Sequence, residues 1–98
     1  MSREQAARIA MKRRMDEEIL IYVRESQNLA PVPAEAVHGY LKRVRQFDVD
    51  RNDVELRLDY LKDKGRLKSE KVFNAGDYDE FWEITADGMD VLDGVIPA

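Results

Sequence analysis

Residues 52–67, NDVELRLDYLKDKGRL, constrain the fold more than any other stretch. Val54, Leu58 and Leu61 recur at helical spacing and place apolar groups along one side of a helix. Asp50 is positioned as the N-cap of that helix, with Asp53 beside its positive end. Gly65 stands where a helix is ended by a residue in left-handed backbone, and Leu67 opens a strand-like run. A helix that passes directly into an extended segment needs a common interior for both.

Two further helices precede it. From about residue 4 to 27 nothing breaks a helix, and Met11, Met15, Ile19, Tyr22 and Val23 fall on one broad stripe. Ala6, Ala10 and Ile21 lie off that stripe. Such a helix is about 35 Å long, longer than a small domain needs, so its first turns are expected to project, fray or pack on a second chain. Pro31 and Pro33 hold an extended link, after which residues 34–44 read as a helix with Val37, Tyr40, Leu41 and Val44 inward.

After the third helix, residues 66–73 and 78–85 read as two strands. Asn74 and Gly76, between them, tolerate positive φ at a hairpin tip. Thr85 is a natural N-cap for a short closing helix with Ala86, Met89 and Leu92 inward. Trp82 and Phe81 are read as packing residues rather than a stacking platform for bases.

Composition narrows the class. Of 98 residues 44% are hydrophobic and 37% charged, which suits one folded domain over residues 1–98 with a solvated surface. No apolar run approaches the roughly 20 residues of a membrane span, and no signal peptide is visible. The absence of cysteine excludes disulfides and thiolate chemistry, and a cytoplasmic protein is expected. The net charge of −4 is uneven: residues 1–15 carry Arg3, Arg8, Lys12, Arg13 and Arg14 against Glu4 alone. No base follows Lys71, whereas seven acids do.

Catalytic, cofactor and metal sites are not expected. His38 has no second imidazole near it in sequence, and DVDRND (residues 48–53) lacks the turn glycine and closing glutamate of a calcium loop. No Gly-rich phosphate loop or activated nucleophile is visible.

The order of long helix, helix, helix, hairpin and short helix resembles the winged helix-turn-helix superfamily. Two stretches carry the likeness: V54-x-x-x-L58-x-x-L61-x-x-x-G65-x-L67, and FWEITADGMDVL at residues 81–92. The expected class is mainly α (α+β), a three-helix core with a long first helix, a two-stranded antiparallel wing and a short final helix. The resemblance implies DNA binding, with the third helix in the major groove and the wing on the backbone. Carried onto this sequence, Arg51, Asn52, Glu55 and Arg57, with Asp59 and Lys62, would face the groove; Ser69, Lys71 and Asn74 would lie on the wing. Arg57 would fork onto guanine and Asn52 onto adenine, with Arg51, Lys62 and Lys71 on phosphates.

The charges pull the other way. Residues 50–64 hold four bases and five acids, and the wing tip is acidic. DNA affinity rests largely on cations displacing counterions, so this helix and wing forfeit part of it. Two functions are therefore expected. One is a small DNA-binding or transcription-associated protein, homodimeric through Ala6, Ala10, Met11 and Ile21 of the first helix, alone or together with the closing helix. The other is a protein-interaction or assembly adaptor without DNA binding, with Leu56 and Tyr60 among its exposed contacts.

Overall fold

A capping box opens the first helix. In the computed structural model, which describes residues 2–97, the Ser2 hydroxyl accepts from the Gln5 N–H while Ser2 N–H donates to Gln5 Oε1, both at 3.1 Å. This satisfies two otherwise orphaned donors and starts α1 firmly at Arg3–Ser26. The first half of α1 is exposed throughout and projects; the extents of 48 × 30 × 23 Å reflect it. Met15, Ile19, Leu20 and Val23 are buried in the second half. Met11, expected on the inward stripe, is instead 45% exposed, because the core begins one turn later. Leu20, absent from the expected stripe, is buried, and Ile21 is half-buried.

Helix α2, Ala34–Arg43, buries Val37 and Leu41. Tyr40 stacks on Tyr22 of α1 with ring centroids 4.6 Å apart. Val44 does not point inward as expected but is 64% exposed. The helix has ended at Arg43, and Gln46 takes φ +59° as the chain turns away. Val32 and Val49, from the links on either side of α2, are buried. Helix α3, Arg51–Asp63, has its own capping box between Asp50 and Asp53 and ends before Gly65 at φ +76°.

Strands β1, Leu67–Asn74, and β2, Asp77–Ile84, form an antiparallel hairpin. Its register pairs Leu67 with Ile84, Ser69 with Trp82, Lys71 with Glu80 and Phe73 with Tyr78. Directly opposed residues share a face, so these eight side chains lie on one side of the hairpin. At the tip Ala75 has φ +52° and Gly76 φ +87°. The left-handed site expected at Asn74 therefore falls one residue later, on Ala75.

Helix α4, Ala86–Leu92, is capped by Thr85, whose hydroxyl accepts from the Gly88 N–H at 3.0 Å. Gly88 is buried, and Val91 and Leu92 pack partly against the core. Ala86 and Met89, expected inward, are exposed, because the helix presents its glycine face to the turn before β1.

Val54, Leu58 and Leu61 of α3 share one core with Trp82 and Ile84 of β2. The Trp82 N–H donates to the Val32 carbonyl, and the Ile84 N–H to Gln27 Oε1, both at 2.9 Å. These bonds fold the hairpin back over the helices. No helix among the described residues is long and apolar enough to cross a membrane.

Candidate nucleic-acid interface

The outward side of α3 and the core-facing strand face of the hairpin enclose a groove of about 550 Å³. Arg51, Glu55 and Asp59 stand at successive turns of α3 along one wall. Tyr78, Glu80 and Trp82, alternate residues of β2, form the other, and Glu35 at the start of α2 closes one end. With Asp79, five carboxylates line the groove against a single cation, Arg51. That cation is engaged: its Nε lies 3.2 Å from Glu55 Oε1. The pair is exposed on both sides and adds little to stability.

The other expected contact residues are scattered. Asn52 is exposed in the first turn of α3. Lys62 reaches from α3 to the hairpin, where its ammonium donates to Ser69 Oγ at 2.9 Å and the Ser69 hydroxyl donates to Glu80 at 2.8 Å. Lys71 is exposed and faces Glu80 across the strands. Asn74, also exposed, lies at the hairpin end with Nδ2 3.5 Å from Asp79.

Arg57 departs from the expected placement. Its Nε and Nη2 donate to the two carboxylate oxygens of Asp16 at 2.8 and 2.6 Å, a fork onto α1 instead of an open donor. Both side chains are largely buried, 17% and 16% exposed. The hydrogen bond to Asp16 raises the guanidinium pKa above its ordinary value. The Arg57 guanidinium also covers the Tyr60 ring at 4.2 Å from its centroid. Arg57 thus belongs to the joint between α1 and α3.

The expected partner surface divides in the same way. Leu56 and Tyr60 are exposed on α3, and Met11 is exposed on the projecting half of α1. Tyr60 lies in a cleft with Ile9 and Lys12 of α1, on a different side of α3 from the acidic groove. His38 Nε2 lies 3.0 Å from the Val49 carbonyl, so this imidazole ties α2 to the link before α3.

The sequence reading missed Glu35 and Glu80 as groove residues. Glu80 carried a signal: it lies two positions from Trp82 and so shares its strand face. Glu35 carried none, since only the packing of α2 against the hairpin brings it there.

No protein-family model matches the chain, and no curated protein matches it significantly. Solved structures do match in shape. A PadR-like transcription factor from Bacteroides fragilis aligns with TM-score 0.77 and 20% identity, over 93% of this chain and 84% of that one. A PadR family transcriptional regulator from Eggerthella lenta aligns with TM-score 0.64 and 18% identity, over 94% and 80%. The Bacillus subtilis PadR, solved in complex with operator DNA, aligns with TM-score 0.67 and 16% identity, over 85% of this chain and 47% of that one. The fold is a winged helix-turn-helix. In winged-helix terms α2 and α3 are the helix pair and β1–β2 is the wing.

Proposed function

We propose that this protein is a small DNA-binding transcription regulator that acts as a homodimer. One observation carries the reading: the outward side of α3 lies open beside the wing, in a fold shared with a regulator solved on its operator. Arg51 and Asn52 at the start of α3 would meet base edges and phosphates, with Lys62 and Lys71 flanking them. Arg57 is left out, because its Nε and Nη2 are held by Asp16 in a largely buried ion pair. Helix α1 supplies the dimer contact, with Ile9 and Met11 exposed on its projecting half. Two readers held by a two-fold axis gain affinity through effective concentration and call for a palindromic site.

The test is binding to mixed duplex DNA at low and moderate salt, beside Arg51→Ala and Lys71→Ala. Binding is expected at low salt and to fall steeply as salt rises. Absence of binding at low salt rejects unaided DNA recognition. Binding lost only when residues 1–14 are deleted moves the contact to the basic start of α1.

A second reading, a protein-interaction adaptor without DNA binding, is favoured by the five carboxylates of the groove. They oppose a polyanion on the very side that a reading helix would present. The same titration separates the two readings.

A further inference from the structure

The acidic groove beside α3 runs along the open edge of the hairpin. Its hairpin wall is Tyr78–Trp82, residues from both faces of β2, with none of β1 among the described residues. The outer edge of a strand meets a groove in that way. Along such an edge the outward backbone groups fall on alternate residues. The Trp82 N–H fixes which, since it leaves the hairpin for the Val32 carbonyl at 2.9 Å. Val32 and Pro33 cover the edge there, Pro33 opposite Phe81, and at Ala34 the chain turns into α2. Before that point the edge is bare. The Tyr78 carbonyl and the Glu80 N–H face outward by the same alternation and have no partner among the described residues. One residue of an added strand can meet both, donating to the first and accepting from the second.

The wall holds another unmet donor. Trp82 is 3% exposed, and its indole N–H has no acceptor among the described residues. A buried donor left unmet is costly, and a carbonyl entering the groove supplies the acceptor. The charges select the partner. Five carboxylates and one cation line the groove, a net −4. Glu55 is held by Arg51, and Glu80 by Ser69 and Lys62. Glu35, Asp59 and Asp79 have no cationic partner among the described residues. At the outer end Tyr78 is 63% exposed and meets Phe73 edge-on, an apolar contact beside the acids. The basic start of this same chain does not suit the edge, because residues 3–14 are helical in α1.

We infer that the groove between α3 and the outer edge of β2 docks an extended basic segment of a partner protein. The segment adds to β2 as a third strand and sets alternate lysine or arginine side chains against Glu35 and Asp59, with apolar residues between them on the Phe81 side. This rests on the adaptor reading and deepens it by naming the partner's chemistry. An occupant here also covers Arg51, so it excludes DNA from that side of α3.

The experiment is a fluorescence titration of the full chain without DNA, in which Trp82, its single tryptophan, reports from the groove wall. The probe is a blocked peptide of about seven residues alternating lysine and valine. A saturable change in emission is expected at low salt, weakening as salt rises. The same peptide with glutamate for lysine, and the lysine peptide with its amides N-methylated, are each expected to bind at least about tenfold more weakly. Glu55→Gln/Asp59→Asn, checked for folding by circular dichroism, is expected to weaken the lysine peptide about fivefold, opposite to the tightening expected for duplex DNA. No response to the lysine peptide, or an unchanged affinity in that variant, overturns the inference. So does an N-methylated peptide that binds as well as its parent, which leaves charge attraction without a strand. A response to duplex DNA alone gives the groove to nucleic acid and overturns it too. Failure of the chain to bind DNA leaves the inference standing, and a silent peptide leaves the regulator reading standing.

Discussion

Arg57 of α3 grips Asp16 of α1 through a two-pronged ion pair, with donors 2.8 and 2.6 Å from the two carboxylate oxygens. The residue best suited by type to fork onto a guanine is thereby built into the frame. Breaking such a pair from one side strands a partly buried charge, whereas replacing both partners with apolar groups removes the desolvation cost as well. Arg57→Met is expected to destabilise the fold by about 2 kcal/mol, discounted from a fully buried pair for the remaining exposure. Arg57→Met/Asp16→Leu is expected to recover most of it. Urea unfolding of the two singles and the double makes the cycle; additive losses would show that the pair is not coupled.

Arg51 has a different constraint, since its exposed guanidinium leans on Glu55 in the same groove wall. Glu55→Gln frees it and removes one charge that repels phosphate; Asp59→Asn removes another. Each is expected to tighten duplex binding about two- to fivefold at low salt, with the gain shrinking as salt is added. If Arg51, Lys62 and Lys71 each neutralise one phosphate in both halves of a dimer, the salt dependence has a log–log slope of roughly −5. A fluorescence anisotropy series at several salt concentrations measures both. Unchanged or weaker binding in Glu55→Gln would mean that Arg51 does not meet the DNA.

The fold was largely legible in the sequence because its signals are local. Val54, Leu58 and Leu61 set the periodicity, Asp50 and Gly65 mark the ends of α3, and Thr85 begins α4. The misplaced side chains lie where local signals run out. Met11 and Leu20 differ only in how far along α1 the core extends, and Val44 depends on where the chain turns after α2. The site was less legible. That residues 50–64 carry four bases against five acids could be counted, but the pairing of Arg57 with α1 joins residues 41 positions apart. The gathering of Glu35 with Glu55 and Glu80 likewise needed three elements to meet.

Tyr40 supplies a spectroscopic mark of the joint between α1 and α2. Burial raises its phenol pKa above the ordinary 10.0, and its hydrogen bond to Glu18, at 3.0 Å, raises it further. The raised value favours the neutral phenol in the folded state. Its stabilising contribution is complete below the unfolded pKa and is lost as pH climbs through the folded one. In an alkaline ultraviolet titration one of the four tyrosines is expected to ionise late. Tyr40→Phe should remove that late step, and Glu18→Gln should bring it earlier.

Ala75 stores strain at the wing tip. Together with Gly76 it occupies the two positive-φ positions of the turn, at +52° and +87°. The pattern is that of a type I′ hairpin, where Asn-Gly is preferred because asparagine tolerates the left-handed region. Left-handed backbone costs alanine about 1 kcal/mol. Ala75→Asn is therefore expected to stabilise the protein by about 0.5–1 kcal/mol, read as a higher melting temperature. A lower one would mean that the alanine conformation is not strained in solution.

Gly88 is required for a steric reason. A Cβ there would collide with the Arg66 carbonyl oxygen and come within 2.7 Å of Ile84 Cγ1. That carbonyl cannot easily yield, because it accepts the Thr85 N–H at 3.1 Å. The Thr85 hydroxyl meanwhile donates to the Gly65 carbonyl at 2.6 Å and accepts from the Gly88 N–H at 3.0 Å. Thr85 and Gly88, three residues apart, therefore work together: one pins α4 to the turn that ends α3, and the other lets it come close. Gly88→Ala gains the better helix former yet is expected to lose about 2 kcal/mol, because the overlap pushes α4 off the turn. Thr85→Val keeps the shape and removes the hydroxyl bonds, and is expected to cost about 1–2 kcal/mol. In the double variant the losses should fall short of additive, since a displaced α4 has little left for Thr85 to hold. Additive losses would mean that cap and close approach act separately.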